Sequence, residues 1–235
     1  MERQLLIISL FFLLGLSSCQ YSPALIKNID LKCNSASLDN ECVDEIILPI
    51  EEPPSATDEE IKISYMNYAI GGSFTARLNM NLREDKSWSY GVRTRLSDAK
   101  GQRAMLVTAP VQTDKTSESI TEIVNEYAAY LGSAPTTQDE LAKGKASKTL
   151  RLPGQYETLG ALKGGVSDIV TYNRDLDYLN QLPGLLDEPS LEDVHAMAQK
   201  YIKPDQWTWL IVGDLSKIEE SVRNLNLGTV TILEK

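Results

Sequence analysis

One stretch constrains the fold of this chain more than any other, residues 71–90 with the sequence GGSFTARLNMNLREDKSWSY. Apolar residues recur there at every fourth position, as Phe74, Leu78 and Leu82, which predicts a short helix that begins after the glycine pair and ends near Glu84. A helix with one apolar face must bury that face against the rest of the chain. This segment is therefore expected to pack onto a larger folded unit.

The residues that follow this helix change to strict alternation. From position 88 to position 97 apolar and polar residues alternate, which predicts a half-buried strand. Arg83 closes the helix and Tyr90 opens the strand, so a tight polar corner is expected to bring a guanidinium and a phenol to one surface. Spacing alone leaves two interpretations open. Either Arg83 binds the last helix carbonyls and Tyr90 is a core aromatic, or both side chains contact a substrate.

The rest of the chain predicts an α+β domain that begins near residue 57. The order of elements favours a largely antiparallel sheet with helices packed on it. We expect helices at 58–70, 120–131, 137–150, 156–172, 190–202 and 214–225, and strands at 105–111, 207–212 and 229–233.

The N-terminus has the pattern of a secretory signal over residues 1–18. Arg3 is followed by an apolar run from Leu5 to Leu16, which is too short for a comfortable membrane span. The sequence that ends at Cys19 resembles the bacterial lipobox, whose cysteine is lipidated and becomes the new N-terminus. Gln20 in the next position points, by the usual sorting rule, to the outer membrane. An ordinary signal peptide with an incidental cysteine is the alternative.

Residues 19–56 are predicted to form an acidic, extended tether. From Cys33 to Glu60 there is no lysine or arginine, and prolines interrupt the segment. Its apolar patch, residues 46–50, offers a strand to the edge of a sheet. Cys33 and Cys42 are close enough in sequence to form a local disulfide in an oxidising compartment, and two free thiols are the alternative.

Charge and histidine content exclude several kinds of function. The net charge of -10 argues against nucleic acid as a partner, because phosphate binding needs a clustered basic surface. His195 is the only histidine, and it lies on an ordinary amphipathic helix. A catalytic zinc ion needs two or three histidines with a carboxylate, so the chain is expected to bind no metal. We expect His195 to have a structural or surface role.

The stretch from Gly71 to Val92 resembles the signature of the C-terminal half-domain of the pitrilysin/insulinase family of zinc metallopeptidases. In that family one half carries an inverted His-x-x-Glu-His zinc motif, and the other half supplies an Arg and a Tyr seven positions apart that reach the substrate. Arg83 and Tyr90 have this spacing. Ser87 and Trp88 depart from the pattern, which usually has Gly and then an aromatic or apolar residue. The resemblance covers about residues 58 to 235 and implies a pitrilysin-like half-domain.

The resemblance implies a subunit that is not catalytic alone. Arg83 and Tyr90 would act in trans on a peptide at zinc held by a partner with the His-x-x-Glu-His motif. The expected location is the bacterial cell envelope, with the protein facing the periplasm and anchored to the membrane through Cys19. Two alternatives are a non-catalytic peptide-binding or scaffold subunit and the remnant of a longer peptidase gene.

Overall fold

The computed structural model describes residues 4–9, 41–52, 57–101 and 103–233, and within them one six-stranded sheet. Its order is β3-β4-β2-β5-β1-β6, and all neighbouring strands are antiparallel. This sheet with its helices confirms the predicted α+β class. The strands are β1 (Gln4–Ser9), β2 (Glu41–Glu52), β3 (Arg93–Leu96), β4 (Arg103–Gln112), β5 (Thr208–Gly213) and β6 (Thr229–Leu233).

The helices agree with most of the sequence predictions. Residues 178–187 form a helix that the sequence analysis did not predict, and the helix that starts at Gln138 continues past Pro153. The helices are α1 (Glu60–Asn67, extended by a π-helical turn at Tyr68–Gly72), α2 (Arg77–Asn79, extended by π-helical residues Met80–Asp85), α3 (Thr116–Leu131), α4 (Gln138–Gln155), α5 (Leu159–Tyr172), α6 (Tyr178–Asp187), α7 (Leu191–Tyr201) and α8 (Leu215–Asn224).

The core lies between the helices and one face of the sheet. Alternate residues of β4 are buried and those between them are only half-buried, so only one face of this strand is fully covered. Ile120, Ile123 and Tyr127 bury the matching face of α3. The Tyr127 ring meets the Trp207 ring edge to face, with 4.9 Å between centroids. The buried residues of β4 are Arg103, Met105, Val107, Ala109 and Val111.

The predicted tether over residues 19–56 is wrong for Glu41–Glu52. These residues form β2, which pairs with β4 on one side and β5 on the other. Ile46, for example, lies opposite Val107 and Trp209. The strand is therefore inside the sheet and not at its edge. Acidic composition favoured a tether, but the pairing depends on strands far away in sequence, which composition does not report.

Gln4–Ser9, inside the predicted signal peptide, pairs as β1 with β5 and β6 in the full-length chain. An apolar run of this kind suits both a signal peptide and a strand. The signal peptide over residues 1–18 stays a prediction, and Cys19 and Cys33 lie outside the described residues. Cys42 lies in β2, opposite Val111, and its pairing with Cys33 stays a prediction as well.

The glycine pair at the start of residues 71–90 is explained by the close approach of the end of α1 to strand β3. A Cβ atom added to Gly71 would lie 2.4 Å from Cγ2 of Thr94 on β3. A Cβ atom on Gly72 would lie 2.7 Å from the Asn67 amide nitrogen. Asn67 and Thr94 themselves form a hydrogen bond between their side chains. The end of α1 therefore packs directly on the edge of the sheet, which only glycine permits.

Helix α5 keeps an apolar face that is largely exposed among the described residues. On α5, Leu159 is 85% exposed and Val170 is 75% exposed, and Leu162 and Val166 lie between them at helical spacing. Contiguous exposed apolar surface is typical of interaction sites. Among the described residues, no helix has both the length and the apolar character that a membrane span requires.

Candidate substrate-contacting site

Arg83 lies on the helical segment 77–85, which packs against α3 and the core. Leu78 and Leu82 are fully buried in the core, as their spacing predicted. Phe74, the third apolar residue of that pattern, precedes the helix and is 60% exposed. The helix starts at Arg77, because the chain before it is still extended at Ala76. The predicted helix therefore exists, but it begins later and leaves Phe74 at the surface.

Arg77 fixes the start of this helix to the turn between α3 and α4. Its guanidinium forms two hydrogen bonds of 2.7 Å with the Glu140 carboxylate and one of 2.8 Å with the Pro135 carbonyl oxygen. It also lies 5.1 Å from the centre of the Tyr130 ring. The hydrogen bond with Glu140 raises the pKa of Arg77. This bidentate contact restrains the segment that leads to Arg83.

The corner after the helix depends on one residue with a left-handed backbone. Ser87 has φ 56°, a conformation that glycine adopts with less strain. The backbone then returns to the helix, where the amide of Trp88 donates to the Leu82 carbonyl at 2.9 Å. Gln112 at the end of β4 donates to the Ser87 carbonyl at 3.1 Å. The corner is thus closed from both sides even though serine replaces the usual glycine.

Asn79 joins the helix to the chain that follows Tyr90. This side chain is buried, and its amide nitrogen donates to the Phe74 carbonyl at 2.7 Å. Its amide oxygen accepts from the Val92 backbone nitrogen at 3.0 Å. Ser89 donates to the Pro110 carbonyl at 2.6 Å on the other side of Tyr90. The backbone around Tyr90 is therefore held by side-chain hydrogen bonds where the regular ladder of β3 has not yet begun.

Tyr90 points into solvent from this fixed backbone, with 83% of its surface exposed. The alternation in the sequence predicted a regular strand from residue 88, but β3 begins only at Arg93. Ser89 forms one isolated bridge to Val111 instead. The interpretation of Tyr90 as a core aromatic is therefore wrong.

Arg83 and Tyr90 line the same open cleft of about 970 Å³. The Arg83 guanidinium carbon lies 4.6 Å from the centre of the Phe74 ring, and its Nε lies 3.4 Å from a Glu84 carboxylate oxygen. Within the described residues, the Arg83 side chain forms no hydrogen bond with the carbonyl groups at the end of its helix. The cleft also contains the following residues: Trp88, Gln112, Asp114 and Lys217.

Two lysines surround the apolar wall of this cleft. The ammonium of Lys86 lies 5.2 Å from the centre of the Trp88 ring, and that of Lys115 lies 5.7 Å from it. Lys115 also donates to Glu118 at 2.9 Å, which lowers the pKa of that carboxyl group. The half-buried Trp88 ring in this wall therefore has a cation–π contact with each of the two lysines.

The sequence predicted the pair Arg83 and Tyr90, and the structure brings both to one cleft. The sequence did not predict a role at this site for Asn79, Phe74 and Gln112, which position Arg83 and Tyr90 or lie beside them. The contacts of Asn79 are local, but a buried asparagine has no periodic signal. Gln112 reaches the corner only through the pairing of β4, so no local pattern identifies it.

The remaining predicted residue, His195, has a structural contact. Its Nε2 atom lies 2.8 Å from the Thr136 carbonyl oxygen, between α7 and the turn before α4. No group of three metal-binding side chains occurs within the described ranges. The residues at the cleft therefore do not fit a zinc ion, because its lining offers carboxylates and cations but no histidine.

Comparison with known proteins agrees with this architecture. Residues 40–148 match the family model described as the peptidase M16 inactive domain. The sequence matches no curated protein.

Solved structures share the fold at low sequence identity. A peptidase M16 inactive domain from Pseudomonas fluorescens superposes with TM-score 0.65 at 19% identity, over 74% of this chain and 41% of that chain. A protease from Helicobacter pylori gives TM-score 0.62 at 19% identity, over 72% of this chain and 40% of that one. An inactive peptidase domain from Bordetella parapertussis gives TM-score 0.59 at 15% identity, over 74% of this chain and 92% of that one.

The chain spans about 40% of the length of the first two structures and is matched in turn by nearly all of the third. Its family match includes β2, the helical segment with Arg83, the corner with Tyr90 and most of α4. The family match over residues 40–148 and the fold shared with solved inactive peptidase domains agree with the resemblance of residues 71–92 to the C-terminal half-domain of the pitrilysin/insulinase family.

Proposed function

We propose that this chain is the non-zinc-binding subunit of a pitrilysin-like metallopeptidase and supplies Arg83 and Tyr90 in trans to peptide hydrolysis. The observation that carries the proposal is the exposure of Tyr90 at a cleft that it shares with Arg83. A tyrosine with a purely structural role would pack its ring in the core. Here the hydrogen-bonded backbone exposes the Tyr90 ring to a ligand in the cleft.

The chemistry of the two side chains suits an extended peptide. During hydrolysis the attacked carbonyl oxygen becomes negatively charged, and a donor aimed at it lowers the barrier. The Tyr90 hydroxyl is such a donor. Arg83 presents several N–H groups in a fixed plane and can hold a neighbouring peptide carbonyl. Its stacking on Phe74 orients that plane. Tyr90 would thus stabilise charge while Arg83 aligns the peptide.

Zinc would come from a second subunit with a His-x-x-Glu-His motif, because an inactive M16 domain suggests pairing with a zinc-binding peptidase half. When bound there, zinc supplies an activated water at neutral pH. Peptide would enter between the two subunits, and neither subunit would cleave it alone.

The cell envelope is the proposed location. Cys19 follows an apolar run in a lipobox-like context, and a lipidated Cys19 would tether the subunit to the membrane on the periplasmic side. This proposal rests on sequence alone.

Reconstitution with the zinc-binding subunit tests the proposed roles. The partner to try first is the product of an adjacent gene that encodes His-x-x-Glu-His. We expect zinc-dependent cleavage of unstructured peptides only when both chains are present. Tyr90→Phe should lower kcat by about 100- to 1000-fold, the typical effect of removing one such donor. Arg83→Lys should mainly raise KM, because the ammonium keeps the charge but loses the planar set of donors.

Two substitutions outside the cleft control for general damage. Tyr172→Phe on α5 and Arg223→Lys on α8 make the same chemical changes and should leave kcat and KM unchanged. If Tyr90→Phe and Arg83→Lys cleave as fast as the native pair, the assigned roles are wrong. Cleavage by this chain alone, with one tightly bound zinc, would contradict the need for a partner.

A non-catalytic scaffold subunit is the second candidate, and the apolar face of α5 favours it. This face offers a surface for assembly that is independent of the cleft. For a scaffold, Leu162→Glu with Val166→Glu should abolish complex formation in size-exclusion chromatography, and the assembled native complex should cleave no peptide with any metal. Cleavage that depends on Tyr90 would decide against this candidate.

A further inference from the structure

A second, smaller cavity lies beside the cleft that contains Arg83. Its volume is about 330 Å³, and the loop after α1, the first residue of β3 and the end of α4 surround it. Phe74 joins the two sites, because it lines the small cavity and also stacks against Arg83 at 4.6 Å. The side chains that line it are Tyr68, Ser73, Phe74, Thr75, Arg93 and Arg151.

Arg93 and Arg151 are both exposed, and neither forms an ion pair or a hydrogen bond with any described residue. The chain has 33 acidic residues against 23 lysines and arginines, so acidic partners are abundant. Five of the six other arginines in the described ranges do use them, and the exception is Arg95, which does not line the cavity. The pairs are Arg77–Glu140, Arg83–Glu84, Arg103–Asp98, Arg174–Glu60 and Arg223–Glu219.

The fold brings these two arginines from distant parts of the sequence to one cavity. Arg93 belongs to the edge strand β3, and Arg151 belongs to the last turns of α4. Positive potential extends behind them to Lys148, whose ammonium lies 5.5 Å from the centre of the Tyr65 ring. Burial and the charge of Arg151 both lower the pKa of Lys148. The charge of Glu60 acts on Lys148 in the opposite direction, and the exposed guanidinium groups of Arg93 and Arg151 remain available to an anion that enters the cavity.

The other groups in the cavity match a carboxylate. Ser73 and Thr75 bring hydroxyl donors, and Tyr68 brings a phenol. Arginine binds a carboxylate through two parallel hydrogen bonds. A cavity of about 330 Å³ is at the low end of the range for ligand sites, so it suits one side chain or chain end rather than a whole cofactor.

We propose that this cavity is a carboxylate-binding subsite for peptide substrates, formed by Arg93 and Arg151 with Phe74 as the wall toward Arg83. The proposal rests on the proposed peptide-contacting function of the neighbouring cleft. The bound group is the carboxylate of an aspartate or glutamate side chain, or the C-terminal carboxylate of the peptide. The subunit would therefore select acidic peptides although its own net charge is -10.

Peptide binding to the full chain tests this subsite without cleavage. Three matched fluorescent peptides are titrated by anisotropy: one with a glutamate and an amidated C-terminus, one with glutamine in its place, and one with glutamine and a free C-terminus. We expect one of the two carboxylate peptides to bind about tenfold more tightly than the amidated glutamine peptide, the order of a charge-assisted hydrogen bond. Whichever carboxylate peptide gains affinity identifies the source of the group.

Variants then assign the preference to the cavity. Arg93→Gln and Arg151→Gln should each remove most of the preference for the carboxylate. Arg95→Gln is the matched control, because Arg95 is an exposed arginine two residues along the same strand and does not line the cavity. It should retain the preference. An equal loss in all three variants would show general electrostatic attraction and overturn the subsite, as would equal affinity for all three peptides or no binding at all.

Failure of this subsite is distinguishable from failure of the proposed function. If the reconstituted pair loses activity with Tyr90→Phe but the peptides show no carboxylate preference, only the subsite is wrong. If cleavage ignores Arg83 and Tyr90 while the preference persists and depends on Arg93 and Arg151, the subsite stands and the catalytic roles do not.

Discussion

The backbone at Ser87 determines how Arg83 and Tyr90 face the same cleft. A left-handed conformation costs a residue with a side chain about 1–2 kcal/mol relative to the right-handed one. Ser87 has φ 56°, and its carbonyl accepts a hydrogen bond from Gln112. The family pattern that this stretch resembles has glycine at this position, and the left-handed backbone is a physical reason for that preference. The corner keeps its shape, and serine bears the strain.

Ser87→Gly should therefore stabilise the protein. We expect the free energy of unfolding to rise by about 0.5 kcal/mol, because relief of the left-handed strain exceeds the extra entropy of glycine in the unfolded chain. Urea denaturation measures the change. Ser87→Ala is the control and should give no gain, since alanine has the same Cβ atom. A gain of equal size in both variants would contradict the role of the backbone.

Asp193 is expected to make the free energy of unfolding depend on pH. Its carboxylate binds the Lys62 ammonium at 2.7 Å and closes a capping box with Ser190 at the start of α7. The ion pair with Lys62, followed by the hydrogen bonds from Ser190, lowers the pKa of Asp193. A carboxyl group whose pKa is lower in the folded state stabilises the fold above its unfolded pKa, about 3.9, and loses this effect as the pH falls further.

Asp193→Asn should reduce the free energy of unfolding at pH 7 by about 1 kcal/mol, the typical contribution of a helix cap. The difference from the native protein should shrink below about pH 4, because the carboxyl group then binds a proton in the unfolded chain while the folded carboxylate stays charged. Urea denaturation at pH 7 and pH 3 measures both values. Asp205→Asn, on an exposed turn, should have little effect at either pH. A difference for Asp193→Asn that does not change with pH would contradict the contribution of charge.

At the scale of elements, the contact between the end of α1 and strand β3 holds the site to the sheet. Gly71 lies against Thr94, and Asn67 bonds the same threonine. The next residues lead directly to Phe74 and to the helical segment with Arg83. A shift of this contact would therefore move both the proposed carboxylate subsite and the cleft.

Gly71→Ala should destabilise the protein by about 1–3 kcal/mol, the usual cost of forcing extra atoms into a packed site. The added Cβ would lie 2.4 Å from Cγ2 of Thr94. Combining it with Thr94→Ser should recover part of the loss, since serine lacks that methyl group. Thermal or urea unfolding measures each variant.

Gly160→Ala in α5 is the matched control for this contact. A Cβ atom at Gly160 would have no neighbour within 4 Å, so alanine should stabilise the helix by up to about 1 kcal/mol. If Gly71→Ala is as harmless as Gly160→Ala, the close approach is not a constraint on the fold.

At the scale of the whole molecule, the proposed processing at Cys19 would change the sheet, because β1 lies within residues 1–18. In the full chain β1 separates β5 from β6. Lipidation at Cys19 would remove residues 1–18 and β1 with them, so β6 would have to pair with β5 directly or leave the sheet. If the proposed lipidation occurs, the six-stranded sheet describes the chain before processing.

Processing at Cys19 is therefore a direct test. We expect the protein from bacterial membranes to begin at Cys19 and to carry the mass of its lipid chains in intact mass spectrometry. Cys19→Ala should abolish the lipid and release the protein from the membrane fraction. A mature protein that still contains residues 4–9 would contradict the signal peptide and would show that β1 is a permanent strand.

The local elements were largely predictable because their signals are periodic. The spacing of Leu78 and Leu82 identified a real helix, and the residues of β4 alternate in burial as a half-covered strand should. The strand β2 was not predictable from its acidic composition, because its stability comes from partners on both sides. The sequence left the exposure of Tyr90 open between two interpretations, because the hydrogen bonds of Asn79 and Ser89 that replace the regular ladder there have no local signal.

The sequence by itself determined the α+β class, the resemblance to a peptidase half-domain, the absence of a histidine set for zinc and the pair Arg83 and Tyr90. These follow from residue type and short-range spacing. Only the tertiary structure decided that β2 lies inside the sheet, that Tyr90 is exposed and that Arg93 and Arg151 share a cavity. Strand pairing and helix packing bring together residues far apart in the chain, and no local pattern records such contacts.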